Sequence, residues 1–172
     1  ERTTPSALSG EVVETAFAQV SSPGRLEAVR TAPLILVDAA HNPHGVDALV
    51  GALEESFTFE TLVGVVGILR DKDAEGILAA LEPALEHVVI TASSSPRAIP
   101  VDELAPLAVE IFGEDRVTEA PSLPDALDAA VQRAERDSDL GAGVLVVGSI
   151  TLVAETRILT GADRRKGTGQ AR

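Results

Sequence analysis

The sequence predicts an α/β fold: a Rossmann-like three-layer α/β/α sandwich around a mostly parallel sheet, with an antiparallel strand at one edge. Three observations predict it. Short β-branched apolar runs alternate with Ala/Leu/Glu-rich stretches of helical period, as in a parallel sheet covered on both faces. The runs are continuously apolar, so both faces of each strand are buried. By contrast "RLEAVRT", Arg25 to Thr31, alternates apolar and polar residues, which suits an edge strand.

Taken in order, Gly10 to Ala18 reads as a helix, separated from the edge strand by the turn "SSPG". The first apolar run is Leu34 to Val37, followed by a helix from Pro43 to Glu55 with Val46, Leu49, Val50 and Leu53 on one face. The second run, Leu62 to Leu69, leads to a helix over Asp73 to Leu85. The third, Val88 to Thr91, leads to a helix over Val101 to Phe112. The fourth, Arg116 to Thr118, precedes a helix from Ser122 to Arg136. Ser122 and Asp125 give that helix an S-x-x-D capping signature, and Leu123, Leu127, Ala130, Val131 and Ala134 fall at helical spacing. The fifth run, Val144 to Val147, leads to a helix from Ser149 to Leu159 that stops at Gly161.

Composition bounds the function. The 172 residues are 45% hydrophobic, enough for one domain with a substantial core and too few for two ordinary ones. That core must be aliphatic, because there are four Phe and no Trp, Tyr or Met. Without Cys there is neither a disulfide framework nor a thiolate site, which suits a cytoplasmic protein. No apolar run is long enough to cross a bilayer, and "ERTTPSALSG" has no signal-peptide pattern. The formal net charge of −13 disfavours nucleic acid as a partner, while leaving room for a small anion held by local donors. The chain starts without Met, which raises the expectation of a fragment of something longer, and residues 162–172, a basic segment, read as a disordered tail.

Ligands of open parallel sheets bind beyond the carboxyl ends of the strands. Four of the five apolar runs end there in polar or charged residues: Asp38 to Pro43, Arg70 to Asp73, Ala92 to Arg97, and Gly148-Ser149. The segment "DAAHNP" is the densest. Asn42 suits an N-cap and Pro43 the first helical position, so free backbone amides point at the strand edge and form an anion site. Asp38 can accept from ribose hydroxyls or pair with an Arg, and His41 can donate to a phosphate or carboxylate. The plainer reading of these residues is a capped helix, a capped turn and a solvated histidine. Lys72, between two Asp residues, reads first as a neutralised surface lysine. Ser149 reads as an N-cap, Arg97 as a loop residue, and the glycines of "GVVG", Gly64 to Gly67, as sites of close packing. His44 and His87 have no partner at metal-ligand spacing. No G-x-x-x-x-G-K-[ST] phosphate loop is present, so a chain of this kind that handled ATP would supply half of the site.

Four segments together carry a resemblance: "SPGRLEAV" at Ser22 to Val29, "PLILVDAAHNPHG" at Pro33 to Gly45, "GILRDKD" at Gly67 to Asp73, and "VGSITLVAE" at Val147 to Glu155. In that order and spacing they resemble the C-terminal domain of the folylpolyglutamate synthase family, whose bacterial members are often also dihydrofolate synthases and which belongs with the Mur ligases. The resemblance runs from about Ser9 to Gly161. It implies that residues 1–161 form a Mur ligase-type C-terminal (glutamate ligase) domain of a two-domain ATP-dependent amide ligase. The N-terminal domain of such an enzyme brings the P-loop, the Mg²⁺ ligands and most of the folate or dihydropteroate site. In the family reaction a carboxylate is phosphorylated by ATP and the amine of L-glutamate attacks the acyl phosphate. Carried over by position, the resemblance implies that Arg25 contacts ATP phosphates and that Asp38 holds the ribose or orients Arg25. It implies that His41 lies near the transferred phosphate and the incoming glutamate, with Asn42 in the same loop, and that Lys72 and Ser149 grip glutamate carboxylates. It implies no metal ligand in this chain. Two positions depart from the family pattern: Ala39 replaces a usual Gly, and Ser22 an aromatic common before "PGR". The alternatives are a stand-alone nucleotide- or acid-binding Rossmann-like module, and an interaction domain whose polar edge is only a set of helix caps.

Overall fold

Residues 24–137 and 141–162 are described by the structure, a computed structural model. The helix expected over Gly10 to Ala18 and the tail beyond Ala162 lie outside the described residues. Six strands form one sheet: β1 (Glu27–Thr31), β2 (Leu34–Asp38), β3 (Thr61–Val66), β4 (His87–Ile90), β5 (Val117–Glu119) and β6 (Ala142–Val147), in the spatial order β1-β2-β6-β3-β4-β5. β1 pairs antiparallel with β2, and every other pairing is parallel.

The alternation of the sequence maps onto two layers of helices. α1 (Pro43–Ser56), α2 (Ala74–Leu81) and α3 (Val101–Phe112) cover one face. There Val46, Leu49, Ile77, Leu78 and Leu104 pack on Leu36, Val66, Val88, Ile90 and Leu145. α4 (Leu123–Asp137) and α5 (Ile150–Thr160) cover the other, with Ala126, Ala130, Leu152 and Val153 against Val37, Val63, Val65, Val89 and Val146. Because consecutive strand residues point to opposite faces, the continuous runs feed both layers at once.

Three expected boundaries move. The helix predicted to reach Leu85 stops at Leu81 and gives way to a 3-10 turn over Glu82–Ala84. Pro83 has no amide for the helical ladder and its ring clashes with the preceding turn. The run Leu62 to Leu69 is a strand only to Val66. Beyond it the amide of Gly67 reaches Val147 O at 3.4 Å, and Ile68 and Leu69 pair instead with the loop after β4. Arg116, expected to open a strand, ends the 3-10 turn Glu114–Arg116. Its guanidinium donates to the carbonyls of Glu82, Leu85 and Glu86 and lies 5.2 Å from the Phe112 ring centroid. It is thereby a structural clamp on the amino-terminal edge of the sheet.

Glycines mark where backbones touch. A Cβ on Gly64 would lie 2.5 Å from Leu85 Cδ1, so the close-packing reading of "GVVG" holds. Gly148 has φ +114°, and a Cβ there would meet Gly67 O at 2.7 Å. The ends of β6 and β3 are therefore in direct backbone contact.

Candidate functional site at the carboxyl edge of the sheet

The helices after β2 and β3 lie on one face, whereas the helix after β6, the strand between them, lies on the other. Chains diverging to opposite faces open a crevice at the strand ends, the usual ligand position of such sheets. Its floor is Gly148-Ser149. Its walls are the segment after β2 on one side and the segment after β3 on the other.

The first wall is built around Asp38, the last residue of β2. Its Oδ2 accepts the amide of Leu26 at 2.8 Å and its Oδ1 the amide of Ala40 at 2.8 Å. The Ala39 amide donates to Gly24 O at 2.7 Å. The first and the last of these bonds lock the turn Gly24-Arg25-Leu26 against the end of β2, and the Ala40 bond fixes the carboxylate. The turn is strained: Leu26, a buried side chain, has φ +38°, in the region that favours glycine. Glu27 braces it from the other side, accepting the Gly24 amide at 2.9 Å and pairing with Arg157 of α5. Arg25, at the tip, is exposed, and its guanidinium has no hydrogen bond or ion pair among the described residues. Asp38 holds the backbone that carries Arg25, not the guanidinium itself.

Two residues on, Asn42 has extended backbone, φ −148° and ψ 161°, and its side chain accepts the Gly45 amide at 2.8 Å, with Pro43 as the first helical residue. His41 is exposed, with Nδ1 2.9 Å from Ala39 O. A carbonyl only accepts, so Nδ1 carries the proton and Nε2 is the ring nitrogen left for a ligand. Ala39 keeps a negative φ, so its methyl replaces the family's usual Gly without backbone strain.

The second wall is the segment Arg70 to Asp73. Asp73 caps α2 by accepting the Gly76 amide at 2.9 Å. A Cβ on Gly76 would lie 2.6 Å from Pro43 Cγ, so the first turns of α1 and α2 abut. That contact brings the segment before α2, which carries Lys72, towards the start of α1. Lys72 Nζ lies 3.6 Å from Asp71, and Arg70 forms a two-point pair with Glu103 at 2.7 and 2.9 Å. Hydrogen bonding to Arg70 holds the Glu103 carboxyl below its ordinary range, and the Arg70 guanidinium is correspondingly raised. Ser149 is buried, and its Oγ accepts the Leu152 amide at 3.1 Å. It is the N-cap its position predicts, with one hydroxyl proton left to donate.

Arg25, Asp38, His41 and Asn42 therefore share one corner, and Lys72 and the buried Ser149 follow the ends of the neighbouring strands β3 and β6. Among the described residues no group of three or more His, Asp or Glu side chains is placed to hold a metal ion. Sequence reasoning missed Glu27, Glu103 and Glu155. The last of these accepts from the Ser94 amide at 3.0 Å and from the Ser94 hydroxyl, pinning the loop after β4. Each is an ordinary acidic residue in its own segment and gains a role only through a partner distant in sequence.

A family model described as Mur ligase, glutamate ligase domain, matches residues 24–150. The chain belongs to this family. It is 47% identical over 165 residues to the dihydrofolate synthase/folylpolyglutamate synthase of Mycobacterium tuberculosis, covering 91% of this chain and 34% of that protein. It is 29% identical to the Escherichia coli enzyme of the same name, over 93% of this chain and 36% of that protein. It spans about a third of the length of these relatives. Among solved structures, M. tuberculosis folylpolyglutamate synthase complexed with ADP and AMPPCP superposes with a TM-score of 0.78 at 48% identity, covering 90% of this chain and 36% of that one. The bifunctional enzyme of Yersinia pestis complexed with AMPPNP and Mn ion does so with a TM-score of 0.67 at 28% identity, over 91% of this chain and 36% of that one. The glutamate ligase fold and the sequence resemblance thus agree. No helix among the described residues is long and apolar enough to cross a membrane.

Proposed function

We propose that this glutamate ligase domain works within a cytoplasmic ATP-dependent carboxylate–amine ligase that adds L-glutamate to a folate-type acid, dihydropteroate or a folate. The observation that carries this reading is the braced corner: an arginine with no side-chain partner among the described residues, an imidazole nitrogen left for a ligand and a capped helix start share one strand edge in a chain of this family. The names of the relatives supply the substrate class, and their ADP and ATP-analogue complexes supply the nucleotide.

In the proposed reaction a carboxylate oxygen of the folate-type acid attacks the γ-phosphorus of ATP, and ADP leaves. The amine nitrogen of glutamate then attacks the acyl carbon, and phosphate leaves. Arg25 neutralises phosphate charge, and its fork of donors suits phosphate oxygens. Asp38 keeps that arginine aimed by holding its turn and has acceptor capacity left for a ribose hydroxyl. His41 Nε2 and the His44 amide in the first turn of α1 serve the transferred phosphate and the incoming amine. Lys72 and the Ser149 hydroxyl take glutamate carboxylates. The P-loop and the Mg²⁺-binding groups are supplied by a partner domain of the same enzyme, alongside the phosphate contacts made by this one.

The test is ATP-dependent incorporation of labelled glutamate into dihydropteroate or tetrahydrofolate by the full-length protein that carries this domain. Glutamate-dependent ADP release with formation of an amide product is expected, and no activity from residues 1–172 alone. Turnover by the isolated chain would refute the division of labour. ATP and glutamate leaving the NMR signals of Asp38, His41 and Lys72 in the isolated chain unmoved would refute the site.

A further inference from the structure

The loop after β4, Thr91 to Ile99, contains the polar strand end Ala92 to Arg97 and is zipped to the end of β3. Arg70 N donates to Arg97 O at 2.8 Å, Ile99 N donates to Ile68 O at 2.9 Å, and Leu69 and Ala98 form an antiparallel bridge. This short ribbon stands above the sheet edge and carries Arg97 on one strand and Lys72 just past the end of the other. Both cations meet the same carboxylate: Asp71 Oδ2 is 3.6 Å from Lys72 Nζ and 3.5 Å from Arg97 Nη1. The other charges nearby are committed elsewhere. Glu103 is held by both terminal nitrogens of Arg70, and Asp73 accepts a helix amide. Two cations are therefore left to one acceptor, at long range, beside the crevice.

A purely structural role for Arg97 is weakly supported. Its side chain is 65% exposed, and one stretched, solvated pair contributes little to stability. Its backbone, by contrast, is fixed by the ribbon and by the Ser95 hydroxyl, which accepts the Arg97 amide at 3.2 Å. Glu155 anchors the same loop from α5, and the loop holds two buried hydroxyls, Thr91 and Ser93, without a hydrogen-bond partner. A rigidly carried guanidinium with spare donors beside a lysine is suited to a ligand with two carboxylates.

We propose that Arg97 is a specificity-determining residue that, with Lys72, reads the second carboxylate of a dicarboxylic amino-acid substrate, Asp71 holding the two cations side by side until the substrate displaces it. This rests on the functional reading above and extends it to the choice of amino acid.

The test uses the full-length enzyme and the variants Arg97→Ala and Arg97→Lys, with L-glutamate and L-glutamine compared as acceptors. Losing a charge-assisted contact should raise KM for glutamate about tenfold or more and leave KM for ATP within about twofold. The preference for glutamate over glutamine should fall by a similar factor, and Arg97→Lys should recover part of it. A general loosening of the loop would instead lower kcat/KM for both amino acids alike, and that result would overturn the proposal. So would an unchanged KM for glutamate in Arg97→Ala alongside an active wild type. A wild type that releases no ADP in response to glutamate would bring down the functional reading as well, which separates the two failures.

Discussion

The carboxylate of Asp38 accepts the backbone amide of Leu26, twelve residues earlier, at 2.8 Å, and so fixes where Arg25 leaves the sheet. One acidic side chain at a strand terminus thus sets the geometry of a cation it does not touch. Asp38→Asn removes one of its two acceptor oxygens and places an NH₂ donor against an N–H donor. We expect a loss of about 1–3 kcal/mol in urea unfolding together with a sharp fall in ATP-dependent turnover. An unfolding midpoint equal to that of wild type would mean that the bracing is not made in solution.

Arg25→Ala should behave in the opposite way. The side chain is exposed and has no partner among the described residues, so stability should change by less than about 0.5 kcal/mol. On the proposed function, turnover of the full-length enzyme should still fall severely, since Arg25 is there the counterion of the phosphate. Near-normal kinetics at unchanged stability would remove Arg25 from the site.

Two glycines in helices should respond with opposite signs. At Gly51, in α1, an added Cβ meets nothing within 4 Å, so Gly51→Ala should stabilise by about 0.5–1 kcal/mol. At Gly76 the same methyl would sit 2.4 Å from Asp73 Oδ2 and 2.6 Å from Pro43 Cγ. Gly76→Ala should therefore destabilise by about 1–3 kcal/mol despite its better helix propensity, and should disturb Lys72 by prising α2 from α1. Thermal melts of the two variants, measured together, decide the matter; shifts of the same sign would contradict the packing described.

The Arg70–Glu103 pair gives a small pH dependence with a definite direction. Its hydrogen bond to Arg70 keeps the Glu103 carboxyl lower in the folded chain than in the unfolded one. The pair's contribution is thus fully present above the ordinary glutamate range and is lost as pH falls through the lowered folded value. Both groups are solvated, so the effect is modest. Wild type should exceed Glu103→Gln in stability near neutrality, and the gap should close on acidification. A gap that widens toward low pH would reverse the sign assigned here.

Much of this architecture is legible in the sequence, because its causes are local. β-branched runs make strands, Asn42-Pro43, Asp73 and Ser149 cap helices, and Gly161 ends one in the left-handed conformation at φ +71°. Hydrophobic period and cap chemistry act within a few residues of chain, so they survive reading in one dimension. The helix end at Leu81 was legible too, had Pro83 been weighed against the apolar period.

The pairings that make the site were decided by the tertiary structure. Asp38 with the Leu26 amide, Glu27 with Arg157, Arg70 with Glu103, Glu155 with Ser94, and Arg97 beside Lys72 each join segments that the strand order brings together. A charged side chain has no period and no neighbour-dependent signature, and its partner is fixed by which strand ends lie adjacent. Sequence therefore determined the elements and the edge at which polar residues collect. Only folding, by inserting β6 between β2 and β3, determined which of those residues face one another across a crevice.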